Sequence, residues 1–319
     1  MKVETDSAFG SNEIRFNVFA KKPAIASRAS YPIDRSFRTT AFMLPSGKSW
    51  NADKTESAVY IDDAIILYNS AAASWFCQDS IYYWPKSASL TFMSYAPWNI
   101  GAVCNRENGV ELLGYDAYNA QNVDFMVADI AKDKNANESM YGYTGVPTLF
   151  RHKMTRLSFR ANLNAVVEDS PEIIIKNLRL LHIYTKGDYT KDSWPRTSLS
   201  TPMSYESGSG DIPPQGLKLE VVPQKIFKDY IMVIPQNLYE YSSPDANVDR
   251  PAPLIYVAGT WNGIAFEKSF AIKKISEQWI MGQDITYTLS FSVKDEYIEF
   301  DSDVRQWDDT GGTDIQIGE

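Results

Sequence analysis

The clearest pattern of hydrophobic and polar positions lies near the C-terminal end, where the two kinds of side chain alternate from Asp284 to Lys294. One face of this stretch is apolar: Ile285, Tyr287, Leu289, Phe291 and Val293. Successive side chains of an extended chain point to opposite faces, so the pattern predicts a strand with one buried face. The charged residues 294–296 predict a turn, and the residues from Tyr297 to Trp307 predict a return strand. Residues 279–307 are therefore predicted to form an antiparallel hairpin.

Similar strand patterns recur along the chain at spacings of roughly ten residues, and no helical periodicity of useful length accompanies them. The run 172–184 is almost continuously apolar, which predicts a strand buried on both faces. Residues 131–139 are polar and are predicted to form a loop. The series indicates an all-β fold of sandwiches. Its restart near Phe150 predicts two domains, at residues 1–148 and 149–319.

The N-terminal part combines a predicted strand, 12–20, with a long polar segment, 21–40. The strand has three alternating positions that are predicted to face the core: Ile14, Phe16 and Val18. The segment after it reads as an exposed loop and contains three arginines: Arg28, Arg35 and Arg38. If this loop is cut, the strand can leave, and the groove behind it would accept an incoming strand. A surface loop that is never processed explains the same residues.

Composition narrows the classes of function. The chain has 319 residues, 44% hydrophobic and 13% aromatic, which is typical of an ordered protein rich in strands. Its net charge of -9 argues against a nucleic-acid partner, because phosphates bind basic surfaces. No apolar run approaches the ~18 residues of a membrane helix. The first ten residues contain no apolar signal core, which indicates a cytosolic protein or a mature form written without its leader.

Catalytic and metal-binding motifs find little support in the sequence. His152 and His182 lie in predicted strands without a second ligand at i+2 or i+4, so both are predicted to be structural. The nucleophile elbow, the HExxH motif, the P-loop and the GxGxxG motif are absent. A glycosidase-type carboxylate pair stays open, although a solvated acidic surface explains the acidic residues better. We therefore predict no enzyme activity, cofactor or metal.

Four further features leave alternatives open. Cys77 and Cys104 could form a disulfide or lie unpaired as small buried hydrophobes. The triplet 137–139 fits an N-glycosylation acceptor and mostly indicates a surface loop. An acidic set near the C-terminus offers calcium ligands without EF-hand spacing, and a charged tail explains it better: Asp301, Asp303, Asp308, Asp309 and Asp314. An aromatic set is either a sugar-stacking surface or, as we favour, core and rim packing: Trp75, Tyr82, Tyr83, Trp84, Tyr95 and Trp98.

Four segments carry motifs that resemble those of one family. YYWPKSASLTFMSYAP (82–97) is similar to a Tyr-Trp-Pro and Leu-x-Phe-x-x-Tyr-x-Pro signature, and FRHKMTRLSFRANL (150–163) to a His-x-x-x-x-Leu-x-Phe strand. IMVIPQ (231–236) is similar to an apolar strand ending in Ile-Pro-Gln. WIMGQDITYTLSFSV (279–293) resembles a Trp-x-x-Gly-x-x-Tyr-x-Tyr-x-Leu closing pattern, with Ile285 in place of an aromatic residue. The ordered set resembles the fimbrillin-like family, the subunits of type V pili on Gram-negative anaerobes of gut and mouth.

This resemblance implies two transthyretin-like β-sandwich domains in tandem and no enzyme activity. It also implies export as a lipoprotein precursor to the outer membrane and cell surface. Because the sequence begins without the anchoring Cys, we expect membrane contact only through a lipid anchor on the precursor. In the family, a protease specific for Arg or Lys removes the first strand, and a strand from a neighbouring pilin fills the groove. The removed residues would include Ile14, Phe16 and Val18, with cleavage at Arg28, Arg35 or Arg38.

The expected function is thus a structural pilus subunit whose partners are pilins of the same or a related type. The alternative is a tip-like surface adhesin or glycan-binding lipoprotein that does not polymerise. Such a protein would bind a host glycan or protein through the aromatic stretch from Trp75 to Trp98. The sequence leaves the position in the pilus, whether stalk, anchor or tip, open.

Overall fold

Strands are the dominant regular structure in the described part of the chain. The computed structural model describes residues 12–19, 31–120, 122–140, 143–164, 171–208, 210–239, 251–274, 276–292 and 298–306. The helical segments within these ranges are α1 (Trp50–Asp53) and 3-10 turns at Lys54–Glu56, Arg196–Ser198 and Ile272–Lys274. None of the helices in the described ranges is long and apolar enough to cross a membrane. The predicted all-β class is confirmed.

The strands are numbered in chain order. They are β1 (Phe16–Phe19), β2 (Phe37–Pro45), β3 (Ala58–Asn69), β4 (Ser74–Cys77), β5 (Ala88–Ala96), β6 (Val103–Asn105), β7 (Gly109–Asp116), β8 (Met126–Ala128), β9 (Ala131–Lys134), β10 (Glu138–Met140), β11 (Tyr143–His152), β12 (Thr155–Leu163), β13 (Ile173–Tyr189), β14 (Ser200–Glu206), β15 (Leu217–Lys218), β16 (Gln224–Lys225), β17 (Ile231–Val233), β18 (Gln236–Asn237), β19 (Leu254–Trp261), β20 (Ile264–Ala271), β21 (Gln278–Trp279), β22 (Gln283–Phe291) and β23 (Ile298–Gln306). The prediction of a polar loop at 131–139 is wrong, because these residues form β9 and most of β10.

The chain divides into two compact units. The first covers residues 1–112, 125–151 and 190–192, and the second covers 113–124, 152–189 and 193–319. Segment 113–124 belongs with strands that follow much later in the sequence. Its position is fixed by pairing of β7 with β13 and by a hydrogen bond from Ala117 N to Thr185 O (2.8 Å). The assignment of 1–148 and 149–319 to two transthyretin-like domains stays a prediction.

In the first unit one sheet closes on itself. Its strand order is β1-β4-β3-β2-β5-β8-β11, and β11 pairs in parallel with β1 again. β9 joins β5, and β10 joins β11. The apolar side chains of this sheet form one core that contains Ile14, Phe16 and Val18, each less than a tenth exposed. β1 therefore completes both the sheet and the core.

In the second unit two sheets contribute to one apolar core. One sheet has the order β16-β12-β22-β23, and the other contains β20, β19, β13 and β7 in that order. Buried side chains of β12, β22, β13 and β19 belong to the same core. The predicted C-terminal hairpin is confirmed over the described residues, since β22 and β23 pair in unbroken antiparallel register. Its inward positions are buried as the alternation predicts: Ile285, Tyr287, Leu289 and Phe291.

The central strand of the second unit, β13, corrects another prediction. Ile175, Leu178 and Leu180 are buried, whereas Ile174 and Leu181 are partly exposed. The strand therefore does not bury both faces. Its register shifts against β19 between Ile175 and Asn177, and against β14 between Leu180 and Ile183. Such bulges re-aim the side chains that follow them, and this is why the run of apolar residues shows no strict alternation.

Candidate functional site

The first strand is held along both of its edges. β1 pairs in parallel with β11, from Phe16 opposite Val146 to Phe19 opposite Leu149. On the other edge Phe16 lies opposite Trp75 of β4. The residues before β1 extend this side, because Ile14 N donates to Tyr82 O (2.8 Å) and Trp84 N donates to Asn12 O (3.0 Å). Main-chain groups of Tyr82, just before the Tyr-Trp-Pro motif at residues 83–85, and of Trp84 within it thus form part of the groove that holds the first strand, which we call its seat.

The side chains of this strand fill the core of the first unit. The Phe16 ring packs edge-on against Phe37 and Phe92, with ring centroids 5.9 and 5.8 Å away. Ile14 and Val18 are buried beside it. Burial of each such side chain contributes roughly 1.5–3 kcal/mol. Loss of the strand would therefore open an apolar groove bordered by unpaired strand edges. The first unit would then be stable only if another strand filled this groove.

Asn137 holds the backbone of the same strand from the side. Its Nδ2 donates to Glu13 O (2.6 Å), and its Oδ1 accepts from Arg15 N (3.1 Å). One side-chain amide therefore supplies both the donor and the acceptor that a neighbouring strand would offer. In the sequence this residue appears only as part of a glycosylation triplet. No local pattern reveals its role, because its partners lie more than a hundred residues away along the chain.

Gly145 gives the strand room to approach β11. A Cβ atom at this position would lie 2.7 Å from the backbone carbon of Phe16 and 2.8 Å from the carbonyl oxygen of Arg15. Both distances are far shorter than a normal van der Waals contact of about 3.5–4.0 Å between carbon atoms. Any side chain here would therefore push against the backbone of the first strand. Like Asn137, this glycine belongs to no pattern that would select it from the sequence alone.

Glu13 places a carboxylate at the start of the seated strand. The residue is 6% exposed. Burial raises the pKa of its carboxyl above the ordinary value, and the charge of Arg15 opposes this shift only in part. The proton is thus bound more strongly in the folded state than in the unfolded state. Ionised Glu13 disfavours seating of the strand at neutral pH.

We expect Glu13→Gln to raise the free energy of unfolding at pH 7 relative to the parent protein. Below the ordinary glutamate pKa of about 4.3 the carboxyl is protonated in both states, so the difference between the two proteins should vanish there. It should grow as the pH rises through the raised pKa of the folded state, because the parent then loses stability that the glutamine retains. Urea titrations of both proteins between pH 4 and pH 8 measure this difference. A difference that is constant across this range would contradict the assignment.

The three candidate cleavage arginines differ in their surroundings. Arg28 lies outside the described residues. Arg35 is exposed in a turn in which its own N–H donates to Pro32 O (3.1 Å). Arg38 lies in β2, where its Nη1 contacts Asp63 Oδ2 at 2.7 Å and its guanidinium lies over the ring of Trp98. A peptide bond paired within a sheet is a poor protease substrate, so the structure argues against Arg38 as a cleavage site.

For the aromatic set, burial agrees with the favoured prediction of core and rim packing rather than with the alternative of a sugar-stacking surface. Trp75 and Trp84 are core residues at 6% and 5% exposure, so they cannot form a sugar-stacking platform. Tyr82 is half-buried, and its ring packs 6.1 Å from that of Tyr60. Tyr83 and Trp98 are exposed. Two members of the set therefore remain available to a ligand without rearrangement.

Each of the two histidine rings contacts a residue from a distant part of the chain. His152 Nδ1 lies 2.9 Å from Asp124 Oδ1, and both side chains are largely buried. His182 has a φ of +61° and its Nδ1 lies 3.1 Å from Ala252 O. Within the described ranges, no three His, Cys, Asp or Glu residues are grouped so that they could hold a metal ion.

The two cysteines and the acidic set near the C-terminus were the remaining candidates for reactive or metal-binding groups. Cys77 and Cys104 are free thiols, and burial raises the pKa of each to about 12, which keeps them protonated and unreactive at neutral pH. Asp303 pairs with Arg305 at 3.0 Å. Asp308, Asp309 and Asp314 lie outside the described residues.

The architecture and the motifs of this chain match a known family. The model of the fimbrillin-like family matches residues 39–307. The chain belongs to the fimbrillin-like family. The match begins in β2, so the first strand and the arginine-containing segment up to Arg38 precede it. No curated protein matches the sequence.

Solved structures share the fold of this fimbrillin-like chain. A fimbrial protein from Bacteroides vulgatus ATCC 8482 superposes with a TM-score of 0.60 at 15% identity, covering 93% of this chain and 99% of the other. A candidate cell adhesion protein from Bacteroides uniformis ATCC 8492 gives a TM-score of 0.54 at 13% identity, covering 93% and 98%. A candidate cell adhesion protein from Bacteroides ovatus ATCC 8483 gives 0.53 at 12% identity, covering 94% and 98%. At these identities the likeness concerns the fold.

Proposed function

We propose that this chain is a structural subunit of a cell-surface pilus that polymerises by strand exchange after proteolytic removal of β1. The observation that carries the proposal is the position of this strand. It closes the sheet and fills the core of the first unit, and it precedes an exposed arginine, Arg35. A cut at Arg28 or Arg35 leaves the strand attached by noncovalent contacts alone. Membership of the fimbrillin-like family supports the same function.

The contacts that hold β1 in place indicate how an incoming strand would bind. An incoming strand that lies along β11 would restore the main-chain hydrogen bonds now made by β1. Alternate apolar side chains would replace Ile14, Phe16 and Val18 in the core, because side chains of a strand point inward at every second residue. The polymer would be stabilised by the same contacts that hold the first strand in the monomer.

The partners proposed here are pilins of the same or a related type. Cell-surface location, export as a lipoprotein and attachment to the outer membrane through a lipid anchor on the precursor belong to the same proposal. It also includes two transthyretin-like domains in tandem and the absence of enzyme activity. The structural neighbours include a fimbrial protein and a candidate cell adhesion protein, which supports surface location and adhesion.

Digestion with an arginine-specific protease tests the processing step. We expect cleavage at Arg28 or Arg35, and no cleavage in the segment between the first strand and β2 of the Arg28→Gln, Arg35→Gln double variant. Arg38→Gln is the matched control and should be cut like the parent protein. Mass spectrometry identifies the cut, and size-exclusion chromatography with negative-stain microscopy reports oligomers or filaments. Preferred cleavage at Arg38, or a double variant that is still cut in this segment, would contradict the proposed site.

A surface adhesin that does not polymerise is the second candidate function. The observation that favours it is the exposed Trp98, whose ring is flanked by the Arg38 guanidinium 5.8 Å from its centroid. An exposed indole face can stack on a sugar ring of a host glycan. A cut chain that keeps its first strand and stays monomeric would favour this function over the pilus subunit.

A further inference from the structure

A cavity of about 200 Å³ opens beside the second half of the first strand. Its walls include Val18 and Phe19 of β1, Ser74 and Trp75 of β4, and Tyr31. Ile33 and Thr144, both exposed, also line it. The walls carry no charged side chain among the described residues that line the cavity. An uncharged, apolar group is therefore the occupant that this opening fits.

The cavity lies where pairing between β1 and β4 ends. In the described part of the chain, Phe16 opposite Trp75 is the single register pair between these two strands. On its other edge β1 has four register pairs with β11. The first strand is therefore held more extensively by β11 than by β4. A chain that approaches next to β4 would therefore have fewer existing strand pairs to displace than one that approaches next to β11.

We infer that this opening is the docking point at which a strand from a second copy of the chain first binds, inserting one apolar side chain beside Trp75 while β1 is still seated. The inference rests on the proposed function, strand exchange. Two observations select this occupant over a small molecule. The cavity is lined by Phe16 and Val18 of β1 and by Trp75 of the groove that holds β1, and all three belong to one core, so it is continuous with the groove that an incoming strand must fill. It also lies at a strand edge, where an extended peptide can form main-chain hydrogen bonds.

A docking point of this kind changes the path of exchange. Departure of the whole first strand before binding would expose Ile14, Phe16 and Val18 together with two sheet edges. Replacement that starts at an existing opening exposes only one or two residues at a time. The free-energy barrier is therefore lower, because each displaced contact is replaced before the next one is lost. The rate of assembly should depend on whether the opening is accessible.

Filling the opening tests the inference. Ser74→Phe places a ring in the cavity from β4, and Thr144→Phe partly closes it from an exposed position on β11. The matched control is Ala72→Phe, which lies in the connection between β3 and β4, two residues before Ser74, and outside the cavity lining. After digestion with the arginine-specific protease, light scattering follows the growth of oligomers, and mass spectrometry follows release of the first strand. The melting temperature and the rate of cleavage are recorded for each variant.

We expect Ser74→Phe and Thr144→Phe to slow growth by roughly tenfold or more at unchanged cleavage rate, because the first apolar contact is lost from the transition state. Ala72→Phe should assemble like the parent. If Ser74→Phe does not fold, Thr144→Phe decides the question. Growth at the parent rate in the folded cavity variants would overturn the docking point and leave strand exchange in place. A parent protein that never grows after cleavage would overturn both.

Discussion

Replacing Phe16 by alanine is expected to lower the free energy of unfolding of the first unit by about 3–5 kcal/mol. The ring is 2% exposed and packs edge-on against Phe37 and Phe92. Its removal loses both the burial of a large apolar side chain and the contacts around the cavity that it leaves. Urea denaturation followed by tryptophan fluorescence measures the change, because Trp75 and Trp84 lie in the same core.

The matched control is Tyr83→Ala, which removes an aromatic ring that is half exposed next to the same strand. Its effect should stay within about 0.5 kcal/mol, as for most surface substitutions. A loss below 1 kcal/mol for Phe16→Ala would mean that the first strand contributes little to the core. The groove would then have no need of a replacement strand, and the proposed function would lose its physical basis.

Phe16→Ala also separates the outgoing strand from the groove. The substitution weakens the strand that leaves and changes none of the residues that line its seat on β4 and β11. Under the proposed function, the cleaved variant should release its first strand faster than the parent and form filaments of normal stability. Mass spectrometry of the released fragment and dilution of finished filaments measure these two quantities separately.

Regular patterns in the sequence were sufficient for much of the fold. The strict alternation from Ile285 to Phe291 predicts β22 and its partner, because a half-buried strand without bulges repeats every two residues. The same reasoning places Ile14, Phe16 and Val18 in the core. It fails for β13, where two register shifts interrupt the period and an apolar run alone does not show which residues are exposed.

The candidate site was less accessible to sequence reasoning because its key contacts are long-range. Asn137 and Gly145 act on the first strand from more than a hundred positions away, and neither belongs to a periodic pattern. Segment 113–124 leaves its sequence neighbours for the second unit without any change in composition that would announce it. For the aromatic set, clustering in sequence could not distinguish the buried Trp75 and Trp84 from the exposed Trp98.

Gly145→Ala provides the second large effect, which we expect to be a loss of about 1–3 kcal/mol in the first unit. The new methyl group would meet the backbone of Arg15 and Phe16 at less than 3 Å. Backbone atoms cannot rotate away as a flexible side chain can, so the strand itself must shift from β11. Hydrogen exchange of the amides of residues 13–18, with urea denaturation, measures this loosening. Gly210→Ala is the control, because a Cβ there meets nothing within 4 Å.

The two substitutions together distinguish a seat that is reused from one that serves the monomer alone. Gly145 belongs to the groove, so an incoming strand that follows the path of β1 would meet the same methyl group. Gly145→Ala should therefore weaken both the seated first strand and the finished filament, whereas Phe16→Ala weakens only the former. Filaments of Gly145→Ala that resist dilution like those of the parent would mean that the incoming strand takes another path. In that case β11 would not be the edge on which subunits join.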